Sequence, residues 1–385
     1  MSLSGEVLAQ RIKEALRRSS MSQRELAAAV GMDPTALSRA LAGQRAFKSV
    51  EVALIAERLG VSTDVLLAHD DAEELPRVAV AARVQTGTGG AETAVAPAMR
   101  RVEQMRELDV LLDDLGYPAP PAPSLPALPE VSDPVTQGQA LAEAIRAQAG
   151  LGDDDLPHEL DELVGWLDQQ VGVDVCIVPL GAGLDGLALS RKHLRLALVS
   201  SSVTATRLRF TLAHELCHLA AGDGQILIDK DVFEHSTPEE KRANSFAAAF
   251  LMPAAAIRRA TGDREIDEVL VAELLGRFRV SLDALAFRLH NVGVVNASGR
   301  DRVRAMSSAR IALRPGRVED LQAHNEHRAP SRLLGRAMEA FVAGALGVRP
   351  LAALLDTDAN QLLDELSPPR FAAVSNNADA AAYAL

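Results

Sequence analysis

Residues 210–224 of this 385-residue chain read "FTLAHELCHLAAGDG". On an α-helix, His214 and His218 are one turn apart and about 40° apart around the axis. Both imidazoles then project from the same face and can bind one metal ion. Glu215 lies about 100° round from His214, too far to be a third ligand but placed to take a proton from water. The stretch predicts a metal-binding helix with a catalytic glutamate.

A near miss earlier in the chain shows why the five-residue pattern needs support from its surroundings. Residues 158–162 read "HELDE" and begin in the same way, but Glu162 stands where the second histidine is required. We interpret that stretch as the solvated face of a helix.

A hydrolytic zinc site needs a third protein ligand and an open fourth position. The metzincin pattern supplies a third histidine, but Ala221 and Gly224 stand where that pattern requires glycine and histidine. The other common source is a glutamate on a following helix, which residues 236–253, "STPEEKRANSFAAAFLMP", predict. Glu239 and Glu240 are the candidates, and both also suit helix capping with the preceding "STP".

Two motifs in order carry a family resemblance. "RLRFTLAHELCH" (207–218) and "EKRANSFAAAFLMP" (240–253) resemble the ImmA/IrrE metallopeptidases, and the likeness extends over roughly residues 150–292. The resemblance implies His214, His218 and Glu240 as ligands of one zinc ion per chain and Glu215 as general base. It also implies a zinc metalloendopeptidase of gluzincin-like type that cleaves a helix-turn-helix repressor. Manganese and iron also accept such ligands.

Three nearby residues have assignments that the sequence leaves open. Asn244 lies one turn beyond Glu240, and we expect its side chain to accept the free imidazole N–H of a ligand histidine, or else to bond to backbone. Cys217 lies about 100° from His218, which favours core packing over metal binding. His235 either stabilises an oxyanion or is a loop residue without such a role.

The N-terminal residues 6–67 predict a separate bundle of short helices. Apolar positions recur at helical spacing, Ser22 and Glu25 form a capping box, and Gly31 ends the second helix before Asp33 and Pro34 begin the third. Residues 1–67 carry nine basic and seven acidic side chains, whereas the chain as a whole has a net charge of −12. If DNA is bound, this segment binds it.

"MSQRELAAAVGMDPTALSRALAGQR" (21–45) resembles the XRE/Cro-repressor helix-turn-helix. In that family the helix after the turn enters the major groove. The resemblance implies DNA contacts, and the alternative is a helical bundle that binds protein. The implied contact residues are Gln23, Thr35, Ser38, Arg39 and Arg45, and the implied core residues are Leu26, Val30, Leu37, Leu41 and Leu54.

The fold class that we predict is multidomain and mainly α. Residues 1–70 form an all-α helix-turn-helix domain, and 71–137 form a linker with a helix and a proline-rich spacer or docking segment. Residues 138–292 form an α+β, zincin-like peptidase domain, with strands in "VDVCIVPL" (173–180) and "HLRLALVSS" (193–201) and turn residues between them. Residues 293–385 form a helical regulatory or partner-binding region with a tail.

Two functions from different classes fit this organisation. One is a DNA-binding regulator fused to a zinc endopeptidase that cleaves a repressor or partner in a stress or mobile-element response. The other is a non-proteolytic regulator whose peptidase-like domain acts as sensor. We expect a homodimer on a double-stranded operator. Only two cysteines, no signal-peptide core and no long apolar run favour a cytoplasmic protein without membrane contact.

Overall fold

A computed structural model describes residues 5–18, 21–59, 91–180, 184–223, 237–312 and 323–366. The chain divides into two compact units, Met1–Leu75 and Pro76–Leu385. The first is called the N-terminal unit below, and the second is called the catalytic unit after the role that the sequence predicts for it. Helices account for most of the described residues, as predicted, and none of these helices combines the length and apolarity that crossing a bilayer requires.

The N-terminal unit contains four short helices: α1 Gly5–Arg18, α2 Gln23–Ala29, α3 Pro34–Leu41 and α4 Ser49–Leu59. The predicted capping box is confirmed, because Ser22 accepts from the Glu25 N–H while the Glu25 carboxylate accepts from the Ser22 N–H. Asp33 caps α3 through the N–H groups of Thr35 and Ala36. Local side-chain chemistry therefore sets both sides of the turn.

Leu54 of the N-terminal unit was predicted to lie in the core but lies on the surface. Leu26, Val30, Leu37 and Leu41 are buried as predicted, but Leu54 is 39% exposed. Helix α4 directs Val52, Ile55 and Ala56 inward instead. Leu54 is about 200° round the helix from Val52, so an amphipathic α4 must leave it outside.

The catalytic unit is built on one three-stranded sheet: β1 Asp174–Val178, β2 Gly186–Arg191 and β3 Leu194–Ser200. The strand order is β1-β3-β2, with β1 parallel and β2 antiparallel to β3. Strand β2 corrects the prediction of turn residues between two strands. Its side chains alternate between the two faces of the sheet, with Leu187 and Leu189 on one face and Ala188 on the other. The glycines that precede the strand indicate a turn, and for this reason the strand was not predicted.

The front face of the sheet packs against the helices that contain the motifs. These helices are α6 Pro134–Gln148, α7 Leu160–Trp166 (continued by a π-helical turn, Leu167–Val171), α8 Ala205–Ala221, α9 Pro238–Leu251, α10 Ala254–Thr261, α11 Glu268–Phe278 and α12 Leu282–Asn291. Two short helices follow, α13 Ala297–Arg304 and α14 Ser308–Ala312. All of them contribute to one apolar cluster with the front-face residues of the sheet.

The back face of the sheet packs against helices from two distant parts of the chain. They are α5 Ala91–Asp114, α15 Ser331–Val342, α16 Val348–Leu355 and α17 Ala359–Leu366. Asp174, the first residue of β1, accepts hydrogen bonds from the N–H groups of Arg332 and Leu333 and so caps α15 from outside that helix. The helix that was assigned to the linker and the C-terminal helices therefore complete the fold of the catalytic unit.

The proline-rich segment, residues 118–134, lies along the catalytic unit. Leu125 and Leu128 pack on the front-face cluster, and the Pro123 carbonyl accepts from Arg195. Gly172, at a φ of 70°, comes so close to this segment that a Cβ on it would lie 2.6 Å from Pro123 Cδ. These contacts attach the segment to the catalytic unit, and its role as spacer or docking segment stays a prediction. The predicted tail, 367–385, lies outside the described residues.

Candidate active site

Helix α8 carries the motif and is buried almost throughout. Thr204 caps its start through the Arg207 N–H, and Gly222 ends it in the left-handed conformation, at a φ of 68°. The helix lies between the sheet and α9. His214, Glu215 and His218 are 7%, 1% and 4% exposed, so three ionisable side chains are withdrawn from solvent on one helix. Such burial is unfavourable unless these groups have partners or bind a metal.

The near miss at 158–162 has the opposite surroundings. His158 and Glu162 are exposed, and α7 begins only after Glu159. As predicted, this stretch is a solvated surface.

His214, His218 and Glu240 converge. The Nε2 atoms of the two histidines are 3.1 Å apart. Glu240 Oε2 lies 3.4 Å from His214 Nε2, and Oε1 lies 3.7 Å from His218 Nε2. Among the described residues, this is the one group of three histidine, cysteine or acidic side chains arranged to hold a metal ion.

The first turn of α9 places Glu240. Thr237 caps this helix by accepting the Glu240 N–H at 3.3 Å, and Pro238 occupies the first helical position. The backbone of Glu240 thus satisfies the cap while its carboxylate turns towards the histidines. Glu239 is outside the three-residue group. Its predicted capping partner Ser236, like His235, lies outside the described residues.

The donor set fits zinc. Four tetrahedral ligands at about 2.0–2.2 Å from an ion lie about 3.3–3.6 Å from one another. The three observed separations, 3.1, 3.4 and 3.7 Å, bracket that range. Two imidazoles and one carboxylate also leave a fourth position for a reactant, as catalytic zinc sites do.

Glu215 is the most deeply buried acidic group of this site. Its Oε2 has no hydrogen-bond partner among the described residues. Burial, reinforced by the neighbouring charges of Glu240 and Asp185, raises the pKa of Glu215 well above its usual value. A carboxyl group with a raised pKa and an unpaired oxygen beside a metal-binding group has the properties of a general base that is later an acid.

Strand β2 holds Glu215 in place by close approach. A Cβ on Gly186 would lie 2.6 Å from Glu215 Oε1 and 2.6 Å from Thr211 Cγ2. Only glycine leaves room for the carboxylate at this point of the strand. The preceding residue, Asp185, accepts from the Arg207 guanidinium at 2.5 and 2.8 Å, which ties the beginning of β2 to α8.

A carboxylate orients His218. Nδ1 of His218 lies 2.9 Å from Asp223 Oδ2, and the other oxygen of Asp223 accepts from Arg242. Burial alone would raise the pKa of Asp223, but the hydrogen bonds and charges of His218 and Arg242 outweigh it and lower that pKa. Asp223 lies two residues beyond the end of α8, close enough to contact the His218 ring. For His218 it therefore has the role that was expected of Asn244, which is to accept the free imidazole N–H. Asn244 itself is half-buried, and its assignment stays a prediction.

Cys217 is not a member of the three-residue group. It is fully buried, and burial raises the pKa of its thiol to about 12. A thiol that resists ionisation is a poor zinc ligand, because the thiolate is the binding form. Core packing, the interpretation favoured by its angle from His218, accounts for its position.

In the N-terminal unit, four of the five predicted DNA contacts are exposed. Gln23 begins α2, and Thr35, Ser38 and Arg39 lie on the solvent side of α3. Arg45 is half-buried and pairs with Glu51 through two hydrogen bonds of 2.6 and 3.1 Å. A phosphate contact by Arg45 would compete with this pair.

Three features of the site were missed from the sequence: Asp223, Arg242 and the Asp185–Gly186 pair. Asp223 follows a helix-ending glycine, and Arg242 lies two residues after Glu240. Gly186 resembles an ordinary turn glycine until the strand is known. Nothing in the local sequence marks them as a group, because Asp223 and Arg242 are 19 positions apart, Asp185 and Arg207 are 22 apart, and Gly186 and Glu215 are 29 apart.

Comparisons with known proteins identify both domains. Residues 168–290 match the family described as the IrrE N-terminal-like domain, and residues 12–66 match a helix-turn-helix family. Over 120 residues the chain is 38% identical to the radiation response metalloprotease IrrE of Deinococcus radiodurans. That match covers 30% of this chain and 31% of the relative, so the chain spans about a third of its length.

A solved structure was also found, the apo form of the competence regulator ComR from Streptococcus vestibularis. It is 15% identical, the match covers 90% of this chain and 100% of that one, and the TM-score is 0.17. The family matches, together with the fold, show that the chain contains an XRE-type helix-turn-helix domain followed by an IrrE-like metallopeptidase domain and a helical C-terminal region.

Proposed function

We propose that this protein is a DNA-binding regulator fused to a zinc-dependent endopeptidase that cleaves a partner protein, a helix-turn-helix repressor, in a stress or mobile-element response. The observation that carries the proposal is the buried Glu215 carboxyl, with an unpaired oxygen, beside three converging metal-binding side chains. A site with a structural metal only would have no use for that carboxyl.

In this mechanism His214, His218 and Glu240 would hold one zinc ion per chain. The ion, when bound, supplies Lewis acidity towards a peptide carbonyl and lowers the pKa of water. Glu215 takes a proton from the attacking water at its unpaired Oε2 and delivers it to the nitrogen of the leaving amine. Gly186 leaves room for this carboxylate against the strand.

The deciding experiment compares Glu215→Gln with His214→Ala and Glu240→Ala. We expect the wild type to contain about one zinc per chain by mass spectrometry. Both ligand variants should lose the metal, whereas Glu215→Gln should keep it and lose peptide cleavage by about 10²–10⁴-fold. Undiminished cleavage by Glu215→Gln would contradict its role as general base. A wild type that binds no zinc would contradict the whole mechanism.

We further propose that α3 of the N-terminal unit reads an operator, with Thr35, Ser38 and Arg39 at base edges and Gln23 and Arg45 near the backbone. The exposure of the first four side chains supports this. A bidentate arginine contact is worth about 1–3 kcal/mol of discrimination between bases. Arg39→Ala should therefore weaken specific binding at least about fivefold in fluorescence anisotropy, whereas Arg58→Ala, on the exposed side of α4, should not.

DNA footprinting separates the two functional classes. A specific footprint that is unchanged in Glu215→Gln, with no protein cleaved by the wild type, would favour a regulator whose peptidase-like domain is a sensor. The expected homodimer would appear as paired half-sites in the footprint.

A further inference from the structure

The second ring nitrogen of His218 belongs to a chain of polar contacts that leaves the metal-binding group. Nε2 faces His214 and Glu240, while Nδ1 contacts Asp223 Oδ2 at 2.9 Å. A carboxylate only accepts hydrogen bonds, so Nδ1 carries the proton and the Nε2 lone pair is free for a metal.

Asp223 and Arg242 join the two helices that supply the three metal-binding residues. Asp223 lies just beyond the end of α8, and Arg242 lies in the first turns of α9, two residues after Glu240. The guanidinium donates to Asp223 Oδ1 while Oδ2 receives His218. One carboxylate thereby sets both the orientation of His218 and the distance between α8 and α9.

Helix α6 supports this pair from behind. Gln137 Oε1 accepts from Arg242 at 3.0 Å, and Gln137 Nε2 donates to the Pro129 carbonyl at 2.9 Å. The neighbouring Gly138 lets the two backbones approach, since a Cβ there would lie 2.3 Å from the Arg242 carbonyl oxygen. The contacts thus continue from His218 to the proline-rich segment.

We propose that Asp223 and Arg242 are positioning residues that set the metal affinity of this site, and that Gln137 links them to the proline-rich segment. The inference rests on the proposed zinc site. A buried ion pair contributes little net stability, since desolvation of both charges offsets their attraction. What the pair supplies is a fixed proton on His218 and a fixed separation of His218 from Glu240.

The test measures zinc affinity, by competition with a chromophoric chelator, and the visible spectrum of the cobalt(II)-substituted protein. Removing a carboxylate that orients a ligand histidine costs about 10–100-fold in metal affinity. We expect that loss for Asp223→Ala and a changed cobalt spectrum. Asp223→Asn, which retains only one acceptor oxygen, should fall between Asp223→Ala and the wild type. Arg242→Lys keeps the charge but cannot reach both partners, so it should also weaken zinc binding.

Gln137→Ala has a matched control on the same helix. Gln148 Nε2 also donates to the proline-rich segment, at the Ser124 carbonyl, but it has no contact with Arg242. Gln137→Ala should lower zinc affinity by a few-fold, and Gln148→Ala should leave it unchanged. Equal affinities for the two variants would remove Gln137 from the proposal.

The melting temperatures of the metal-free proteins separate positioning from folding. Asp223→Asn should melt near the wild type without metal and differ from it once zinc or cobalt is added. The inference would be overturned if Asp223→Ala and Arg242→Lys kept the zinc affinity and the cobalt spectrum of the wild type. The proposed zinc peptidase function would not be affected by that result. A wild type without zinc affinity would instead overturn the proposed function.

Discussion

The N-terminal and catalytic units obtain their functional surfaces in different ways. In the N-terminal unit the candidate DNA contacts lie within residues 23–45 and are mostly exposed, and caps between neighbours fix the two helices. In the catalytic unit the candidate metal-binding residues are two buried histidines and the half-buried Glu240, they are separated by up to 26 positions, and their supports come from α6, β2 and α9. Exposed recognition residues need a local scaffold, whereas buried ionisable groups need tertiary partners.

The largest effect should follow from breaking the small core of the N-terminal unit. Leu37 is fully buried there, and Leu→Ala at such a site costs about 2–5 kcal/mol. A core of this size cannot absorb that loss, so Leu37→Ala should abolish operator binding. Zinc content should stay unchanged, because the catalytic unit has its own cores. In calorimetry, only the unfolding transition of the N-terminal unit should be lost or shifted to lower temperature. Loss of the transitions of both units would show that they unfold together.

A methyl group at Gly186 should disturb catalysis without unfolding the catalytic unit. The added Cβ would lie 2.6 Å from Glu215 Oε1, and a misplacement of about 1 Å can cost about 10²-fold in rate. Gly186→Ala should therefore lower kcat by about that factor while zinc stays bound. Gly165→Ala is the control, because nothing lies within 4 Å of the added atom there. Equal activities would show that Glu215 does not depend on β2.

The cap that Asp174 provides for α15 should respond to pH. Burial raises the pKa of Asp174 to about 6, against 3.8 in the unfolded chain, although the Leu333 and Arg332 N–H groups oppose the shift. Folding thus favours the protonated form, and the stability from this group is complete below about pH 4 and lost as the pH rises through about 6.

Asp174→Asn removes this titration and keeps an acceptor for the helix. The melting temperature of the wild type relative to the variant should fall between pH 4 and pH 7. A constant difference over this range would show that folding does not shift the pKa of Asp174.

The smallest effect should come from the capping box. Ser22→Ala removes the acceptor for the Glu25 N–H, which costs about 0.5–2 kcal/mol. In calorimetry, the unfolding transition of the N-terminal unit should move down by a few degrees, and peptidase activity should not change. Thr204→Ala removes the corresponding cap of the buried helix α8. A larger shift in the unfolding transition of the catalytic unit for the Thr204 variant would support the view that this unit depends more on buried contacts.

Much of the fold and the nucleus of the site were predictable because their signals are local. The caps at Ser22 and Asp33 and the motif spacing of His214 and His218 depend on residues within one or two turns. Helical periodicity failed at Leu54, since a leucine at nearly any position of a short helix can be assigned to its apolar side. Strand β2 was missed because its glycine start predicts a turn, although that glycine is there for the Glu215 carboxylate.

The sequence by itself determined which residue types sit at helical spacing, where helices begin, and therefore the two domains and the His214–Glu215–His218 group. Only the tertiary structure decided that α5 and the C-terminal helices cover the sheet, that the proline-rich segment lies along the catalytic unit, and that Asp223 holds His218. The physical reason is the sequence distance over which each kind of interaction acts. Caps and helical periodicity act over three or four residues, whereas burial and hydrogen bonding of a charged group depend on whichever segments the packing of the sheet brings together.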